Sequence, residues 1–422
     1  MPLRSATLLL TTGLGLSLAL GRTGADSPGS WFRQRAQAGS GGTLLRVLHF
    51  GDSHLAGAAG GVYYRRWFQG RFGDGGPGLG LPWVTPMPGV AAAATQGWRR
   101  STRPGTGEQA AGLACGYLET IRPLETATLA GCFSRYRLYL ALDPAGGKVA
   151  VRVDDGPAEE VDLVGEAGQA TVLARNLPGR QASRKLSIQC TRPGRVRILG
   201  VALEGDAGAV YSPLAFNGAR ADWLRSVPDG WFRTMVQGEA PDLLILAFGT
   251  NEASAPEFDP QAYRSGLEAL LGRFRAAAPG AVMVLEGPPD GQLTRGPAGA
   301  LDQVIAIQRS AATVAGALFL DRRQAMGGPG AMAAWERSGL ASRDLIHLTG
   351  AGYQRLSGTM FSSLEAATGQ GGLIAPLAPA GPEPGGGGRT LYTFRRKDGG
   401  LFITDDPAKA EEQPGVWTRV AP

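Results

Sequence analysis

Leu44-Leu-Arg-Val-Leu-His-Phe-Gly-Asp-Ser-His54 is the stretch on which the reading of this chain turns. A short, nearly continuous apolar run that stops abruptly on glycine, aspartate and serine suits a buried parallel strand feeding a turn. Similar runs recur at 243–248, 282–285 and 318–320. Between them lie helical patterns, one carrying Val62, Tyr63, Trp67 and Phe68, another Tyr263, Leu267, Leu270, Leu271 and Phe274, a third Leu301, Val304, Ile305 and Ile307. Strands alternating with helices predict an α/β fold with a doubly wound parallel sheet, whose ligands gather beyond the carboxyl ends of the strands. Ser53 falls at such an end.

Working outward, 422 residues are too many for one ordinary domain, so two or three units are expected. From 85 to 205 the rhythm changes to alternating segments at 136–142, 148–153, 185–189 and 196–203, which reads as a β-sandwich. It interrupts the α/β domain, giving catalytic pieces at 43–84 and 206–368. Residues 369–388 have the Gly- and Pro-rich composition of a linker. In the tail, 389–422, segments 391–394 and 401–404 flank Lys397-Asp-Gly-Gly400 and predict a small β-hairpin.

The start of the chain carries Arg4, an apolar uncharged run at 6–20 and small residues around Gly24 and Ala25. That layout predicts a secretory signal over 1–25 and export to the periplasm or beyond, the run being short for a bilayer span of roughly 20 residues. An uncleaved N-terminal anchor is the alternative. The formal charge of +6 comes almost entirely from arginines, with no Lys/Arg block of the kind that tracks a phosphate backbone, so no nucleic-acid partner is implied. Three cysteines, Cys115, Cys132 and Cys190, allow one disulfide and one free thiol, and their order does not say which pair. No Cys/His cluster has zinc spacing, and neither a metal nor another cofactor is expected. A monomer is expected.

Ester cleavage by serine needs a nucleophile whose proton can leave, a base held in one tautomer, and donors aimed at the developing oxyanion. Ser53 meets the first need, although a Gly-Asp-Ser turn also occurs for purely structural reasons. The chain has three histidines. His49 lies inside the strand, where packing is its simplest role, and His54 adjoins the nucleophile, where neighbouring side chains usually diverge. His347 remains, with Asp344 three residues before it, a spacing that lets the carboxylate hold one ring nitrogen on a turn. The competing reading is a helix-cap aspartate beside a surface histidine. Oxyanion donors can come from the N–H of Ser53, from Gly218 after Asn217, and from the amide of Asn251, with Asp52, Gly249 and Asn217 in support.

The ordered set Gly51-Asp-Ser53, Asn217-Gly218, Gly249-Thr-Asn-Glu252 and Asp344-x-x-His347 resembles the four sequence blocks of the SGNH (GDSL-like) hydrolase family. The resemblance implies a flavodoxin-like α/β domain and places that family's Ser, Gly, Asn and His on Ser53, Gly218, Asn251 and His347. Gly51-Asp-Ser-His54, Phe72-Gly-Asp-Gly-Gly-Pro-Gly78, Phe216-Asn-Gly-Ala-Arg220 and Met326-Gly-Gly-Pro-Gly330, with Trp335 and Leu340, are similar to its envelope branch, which includes peptidoglycan O-acetylesterases. Members of that branch can carry a carbohydrate-binding-like β-sandwich after the nucleophile block. Trp98, Tyr117, Phe133, Tyr136 and Tyr139 in the insert are candidates for either a core or a sugar-stacking platform. The tail resembles a short bacterial envelope domain through Tyr392, Phe394, Gly399, Thr404-Asp405 and Pro407, but Arg396 stands where that domain commonly has aspartate, and no function transfers with it.

The expected activity is therefore hydrolysis of a small acyl ester, such as acetyl, on an acetylated envelope polysaccharide. An O-acetyltransferase using the same acyl-enzyme is the first rival. A glycan-binding envelope protein with a vestigial esterase domain is the second.

Overall fold

In the computed structural model residues 43–56, 59–101, 110–367, 392–396, 401–404 and 417–420 are described. The expected signal at 1–25 and the linker at 369–388 lie outside them. Five parallel strands form one sheet in the order Gly208–Ala215, Leu44–Gly51, Leu243–Ala247, Val282–Glu286 and Leu318–Leu320. Counted along the chain, that order is 2-1-3-4-5, and the reversal falls at the first strand. The strand Gly208–Ala215 is not among the expected ones: Gly208, Ser212 and Pro213 break up its apolar residues, and its burial depends on neighbours.

Side chains alternate across each strand. Leu48, Phe50, Leu244 and Leu246 enter one apolar cluster with helices Asp229–Glu239, Pro260–Ala277 and Ala300–Ala315. Leu45, Val47, Ile245 and Val284 enter a second, with helices Gly60–Phe72, Ala331–Arg337 and Gly350–Ala367. Helices thus cover both faces. On the second face Phe361 stacks on Trp67 with centroids 4.4 Å apart. Fully buried Phe50 and Phe68 each contribute about 1.5–3 kcal/mol by leaving water.

Two antiparallel sheets make up the intervening chain. One runs Ala170–Asn176, Arg135–Ala141, Val196–Glu204, Tyr117–Thr120 and Arg99–Ser101, with Gly78–Gly80 also paired to Val196–Glu204. The other runs Ala91–Ala94, Thr126–Phe133, Ala182–Arg192, Lys148–Val153 and Glu159–Asp162. They share a cluster that takes Leu138, Leu140 and Ile198 from the first and Leu129, Val151 and Ile188 from the second. Antiparallel pairing thus already begins at Gly78. Trp98, Tyr117, Phe133, Tyr136 and Tyr139 are all buried, so none presents an open face to a sugar.

The strand Val196–Glu204 is buried along its whole length. Leu199 and Ala202 face away from the antiparallel core and join the cluster of Phe232 and Met235. A buried charge network reinforces this junction. Glu204 accepts from Arg46 at 2.7 and 3.0 Å and from Arg137 at 2.6 and 3.0 Å. Arg137 also donates to Glu239 at 3.0 Å, and the Tyr139 hydroxyl donates to Glu239 at 2.6 Å. Burial works against ionised Glu204, but the two guanidinium groups outweigh it and hold the carboxyl below its ordinary range.

Two compact units divide the chain, the first ending at Gln370 and the second beginning at Gly371. In the second, Tyr392–Arg396 pairs antiparallel with Leu401–Thr404 and, on its other edge, with Trp417–Val420. That third strand was not expected from sequence. Cys115, Cys132 and Cys190 are all free thiols. Among the described residues no helix is long and apolar enough to cross a membrane.

Candidate active site

Parallel register brings three turns to one edge. Gly51 pairs with Ala215 on one side and Ala247 on the other. The segments beginning at Asp52, Phe216 and Phe248 therefore leave the sheet at the same level. Asp52 is buried and its Oδ1 accepts the His54 N–H at 2.9 Å, while its carbonyl accepts from Leu55 and Ala56 at 3.0 Å each, closing the turn around Ser53. Burial pushes the Asp52 carboxyl up to about 6, against the opposing pull of Arg322 and the His54 N–H.

Ser53 Oγ lies 2.8 Å from His347 Nε2, across 294 residues of chain. His347 Nδ1 lies 2.7 Å from Asp344 Oδ2. Asp344 Oδ1 accepts the N–H groups of Ile346 at 3.0 Å and His347 at 2.9 Å, an Asx turn that shapes the loop through Leu345, whose φ is +56°. Burial pulls the Asp344 carboxyl up, but the bonds from the His347 ring and from the two N–H groups outweigh it and leave it below its ordinary value. An ionised carboxylate only accepts, so Nδ1 must carry the proton and Nε2 is left as acceptor for the serine hydroxyl. Leu348, Tyr353, Leu356 and Met360 are buried and anchor the loop and the helix after it.

The remaining histidines are packed. His49 is fully buried, with Nδ1 2.9 Å from the Tyr211 hydroxyl. His54 is buried with Nδ1 3.1 Å from the Tyr353 hydroxyl. Its ring does not diverge from the site as expected: the centroid stands 5.3 Å from that of His347, at 34°. Burial first, and then the Arg322 guanidinium, hold both rings well below the usual imidazole range, so both are neutral.

Gly218 has φ +82° and is exposed, as is Asn217. Asn251 donates from Nδ2 to the Ala219 carbonyl at 2.9 Å, tying its turn to the Asn217-Gly218 turn and leaving the second amide hydrogen for another acceptor. Gly249 has φ +130°, and a Cβ there would meet Pro288 Cδ and Cγ at 2.8 Å, so this turn admits glycine alone. Glu252, which sequence reading assigned no role, is buried between the two turns. A cavity of about 240 Å³ shares Ala221 and Glu252 with them and is lined further by Arg220, Phe258 and Tyr263. A second, of about 330 Å³, is lined by Leu55 and Ala56 of the serine turn together with Arg65, Met87 and Pro213.

Residues 181–355 match the model of the GDSL-like lipase/acylhydrolase family. That span holds Gly218, Asn251, Asp344 and His347, whereas Ser53 lies before it. A solved structure of a peptidoglycan O-acetylesterase is 24% identical, covering 81% of this chain and 96% of that one with a TM-score of 0.66, and shares the fold. A family two carbohydrate esterase from Cellvibrio japonicus is 13% identical, covering 67% of this chain and 98% of its own, with a TM-score of 0.29. The lipase/acylhydrolase from Enterococcus faecalis is 18% identical, covering 40% and 80%, with a TM-score of 0.31. No curated protein matches the sequence.

Proposed function

We propose that this chain, an ester hydrolase with a GDSL-like lipase/acylhydrolase domain, is an exported serine esterase that removes O-acetyl groups from a cell-envelope polysaccharide such as peptidoglycan. The observation that carries the proposal is the unbroken chain from Asp344 through His347 to Ser53, at 2.7 and 2.8 Å. Ser53 Oγ attacks the ester carbonyl while its proton passes to His347 Nε2, and the imidazolium so formed is stabilised by Asp344. The N–H groups of Ser53 and Gly218 and the amide of Asn251 receive the oxyanion. Collapse returns the proton to the departing sugar hydroxyl and leaves acetyl on Ser53. Water, deprotonated by His347, then releases acetate and restores the serine.

An envelope substrate is supported by the fold shared with the peptidoglycan O-acetylesterase structure and by the signal-like stretch at 1–25. We read the antiparallel layers as a β-sandwich inserted over 85–205 between catalytic pieces 43–84 and 206–368, serving to present the glycan. With its aromatic residues buried, such a sandwich would hold sugar through polar surface groups.

The test is acetate release from O-acetylated peptidoglycan, set against acetylated xylan and a synthetic aryl acetate. Turnover of the aryl acetate with preference for the peptidoglycan is expected. Acetate transfer to an added glycan in place of hydrolysis would favour the acyltransferase, and no turnover on any of the three would refute the esterase.

A further inference from the structure

Glu252 is buried, and its hydrogen-bond partners are two main-chain N–H groups. Oε2 accepts from Gly249 at 3.0 Å, which closes its own turn as a helix cap would. Oε1 accepts from Ala221 at 2.7 Å, 31 residues away in the turn that follows Asn217-Gly218. A cap alone does not account for the second bond. Asn251, the preceding residue, makes the reciprocal link to the Ala219 carbonyl at 2.9 Å. The two turns that carry Gly218 and Asn251 are thus stitched in both directions, side chain to main chain, within a few residues of each donor.

Burying a carboxylate is costly unless it is well hydrogen-bonded. Around Glu252 stand Asp52 from the serine turn, Asp222 and Arg220 from the Gly218 turn, and Tyr263 from helix Pro260–Ala277. Burial pushes its carboxyl up to about 7, the Ala221 N–H works against that, and Asp52 and Asp222 add to it. A hydrophobic residue would pack here at less cost, but it could not hold two N–H groups.

We infer that Glu252 is a positioning residue of the oxyanion hole, a clamp that sets the Gly218 and Asn251 donors at a common point. The inference rests on the esterase reading above and goes one step deeper. Glu252→Gln keeps one oxygen acceptor and turns an amide N–H against a main-chain N–H, so one of the two links is lost. Its expected effect on aryl acetate hydrolysis is a fall in kcat of about 10- to 100-fold, set below the 10²–10³ typical of removing an oxyanion donor itself. KM should change less than about twofold, because a misplaced oxyanion hole affects the transition state and not ground-state binding.

The decisive measurement is a double-mutant cycle with Asn251→Ala on the full chain, with melting temperatures recorded for every variant. If Glu252 acts through the donors, Glu252→Gln should cost several-fold less in the Asn251→Ala background than in the wild type, since only the Gly218 donor is left to displace. Additive losses, or a Glu252→Gln enzyme with wild-type kcat, overturn the inference. Should Glu252→Gln fail to fold, Glu252→Asp takes its place: it keeps the charge but is one methylene too short to reach both turns, and the same cycle applies. Inactivity of the wild-type enzyme would refute the esterase reading, whereas an active wild type crippled by Asn251→Ala and untouched by Glu252→Gln would refute only the clamp.

Discussion

Replacing Asp344 by asparagine tests the tautomer argument, because the loop dictates how the amide must sit. Asp344 Oδ1 is held by two main-chain N–H groups at 3.0 and 2.9 Å. An asparagine oxygen must take that place, since the reverse rotamer would set an amide N–H against two donors. The NH₂ then faces His347 Nδ1, which has to accept, and the ring proton moves to Nε2, the atom that should receive the serine proton. Favouring the wrong tautomer costs about 0.5–1.5 kcal/mol for one neutral hydrogen bond, and losing the charge-assisted bond to the imidazolium costs about 1.5–3 kcal/mol. The sum, about 2–4.5 kcal/mol, is a fall in kcat of roughly 30- to 2,000-fold at 1.36 kcal/mol per decade. That is below the roughly 10⁴ known where the carboxylate is buried, in keeping with the 47% exposure of Asp344 and the 40% exposure of His347. Asp344→Ala loses the charge-assisted bond without imposing the wrong tautomer, a cost of about 10- to 200-fold, but it also deletes the Oδ1 acceptor that shapes the loop, so it is not the milder change. The assay is saturating aryl acetate hydrolysis, with circular dichroism melts to show intact folding. An asparagine variant within about tenfold of wild-type kcat would refute the reasoning.

Ser53→Ala should remove turnover by about 10⁶-fold with little change in melting temperature, and a serine-reactive phosphonate should label residue 53 of the wild type; labelling elsewhere would displace the nucleophile. Glu204→Gln, which leaves Arg46 and Arg137 short of their shared carboxylate, should destabilise by about 3–5 kcal/mol, read from urea titration at constant m. A loss under about 1 kcal/mol would show the network to be dispensable. The carboxyls of Asp52 and Glu252 are raised by burial to about 6 and about 7, so the unfolded chain gives up these protons first. The contribution of these two carboxyls should therefore fall as pH rises from about 4 to about 7, by about 3 kcal/mol for Glu252 alone, while His49 and His54, buried neutral, work in the opposite direction until pH passes the ordinary imidazole value. In Glu252→Gln that part of the slope should vanish, and an unchanged slope would show that the carboxyl is not the group titrating.

Much of the site was legible because its signals are local. An apolar strand that ends in Gly51-Asp52-Ser53 and an aspartate three residues before His347 need no knowledge of the rest of the fold. Glu252 was missed for the opposite reason: its cap-like bond to Gly249 is a commonplace, and the bond that gives it a role reaches Ala221 in another turn. His54 was misjudged from the usual divergence of neighbours, whereas the tight turn at Asp52 brings its ring against His347. Strand Gly208–Ala215 was overlooked since its register with Leu44–Gly51, not its composition, makes it a strand.

By itself the sequence determined the alternation of strands and helices and the break in rhythm after the first helix, which follow from periodicity and turn chemistry over a few residues, and it carried four ordered blocks that resemble those of a known family. Tertiary structure decided the rest. Only the pairing of Gly51 with both Ala215 and Ala247 brings three turns to one edge, and only the packing of helix Gly350–Ala367 against the sheet carries His347 back across 294 residues to Ser53. Burial of Trp98, Phe133 and Tyr136 was likewise settled by the cluster the two antiparallel sheets share, and that of Tyr139 by the helix that carries Glu239. The physical reason is the same in each case: alternation says that a side chain has an inward face, but which partner lies on that face depends on sheet order and register, and these are properties of the assembled chain.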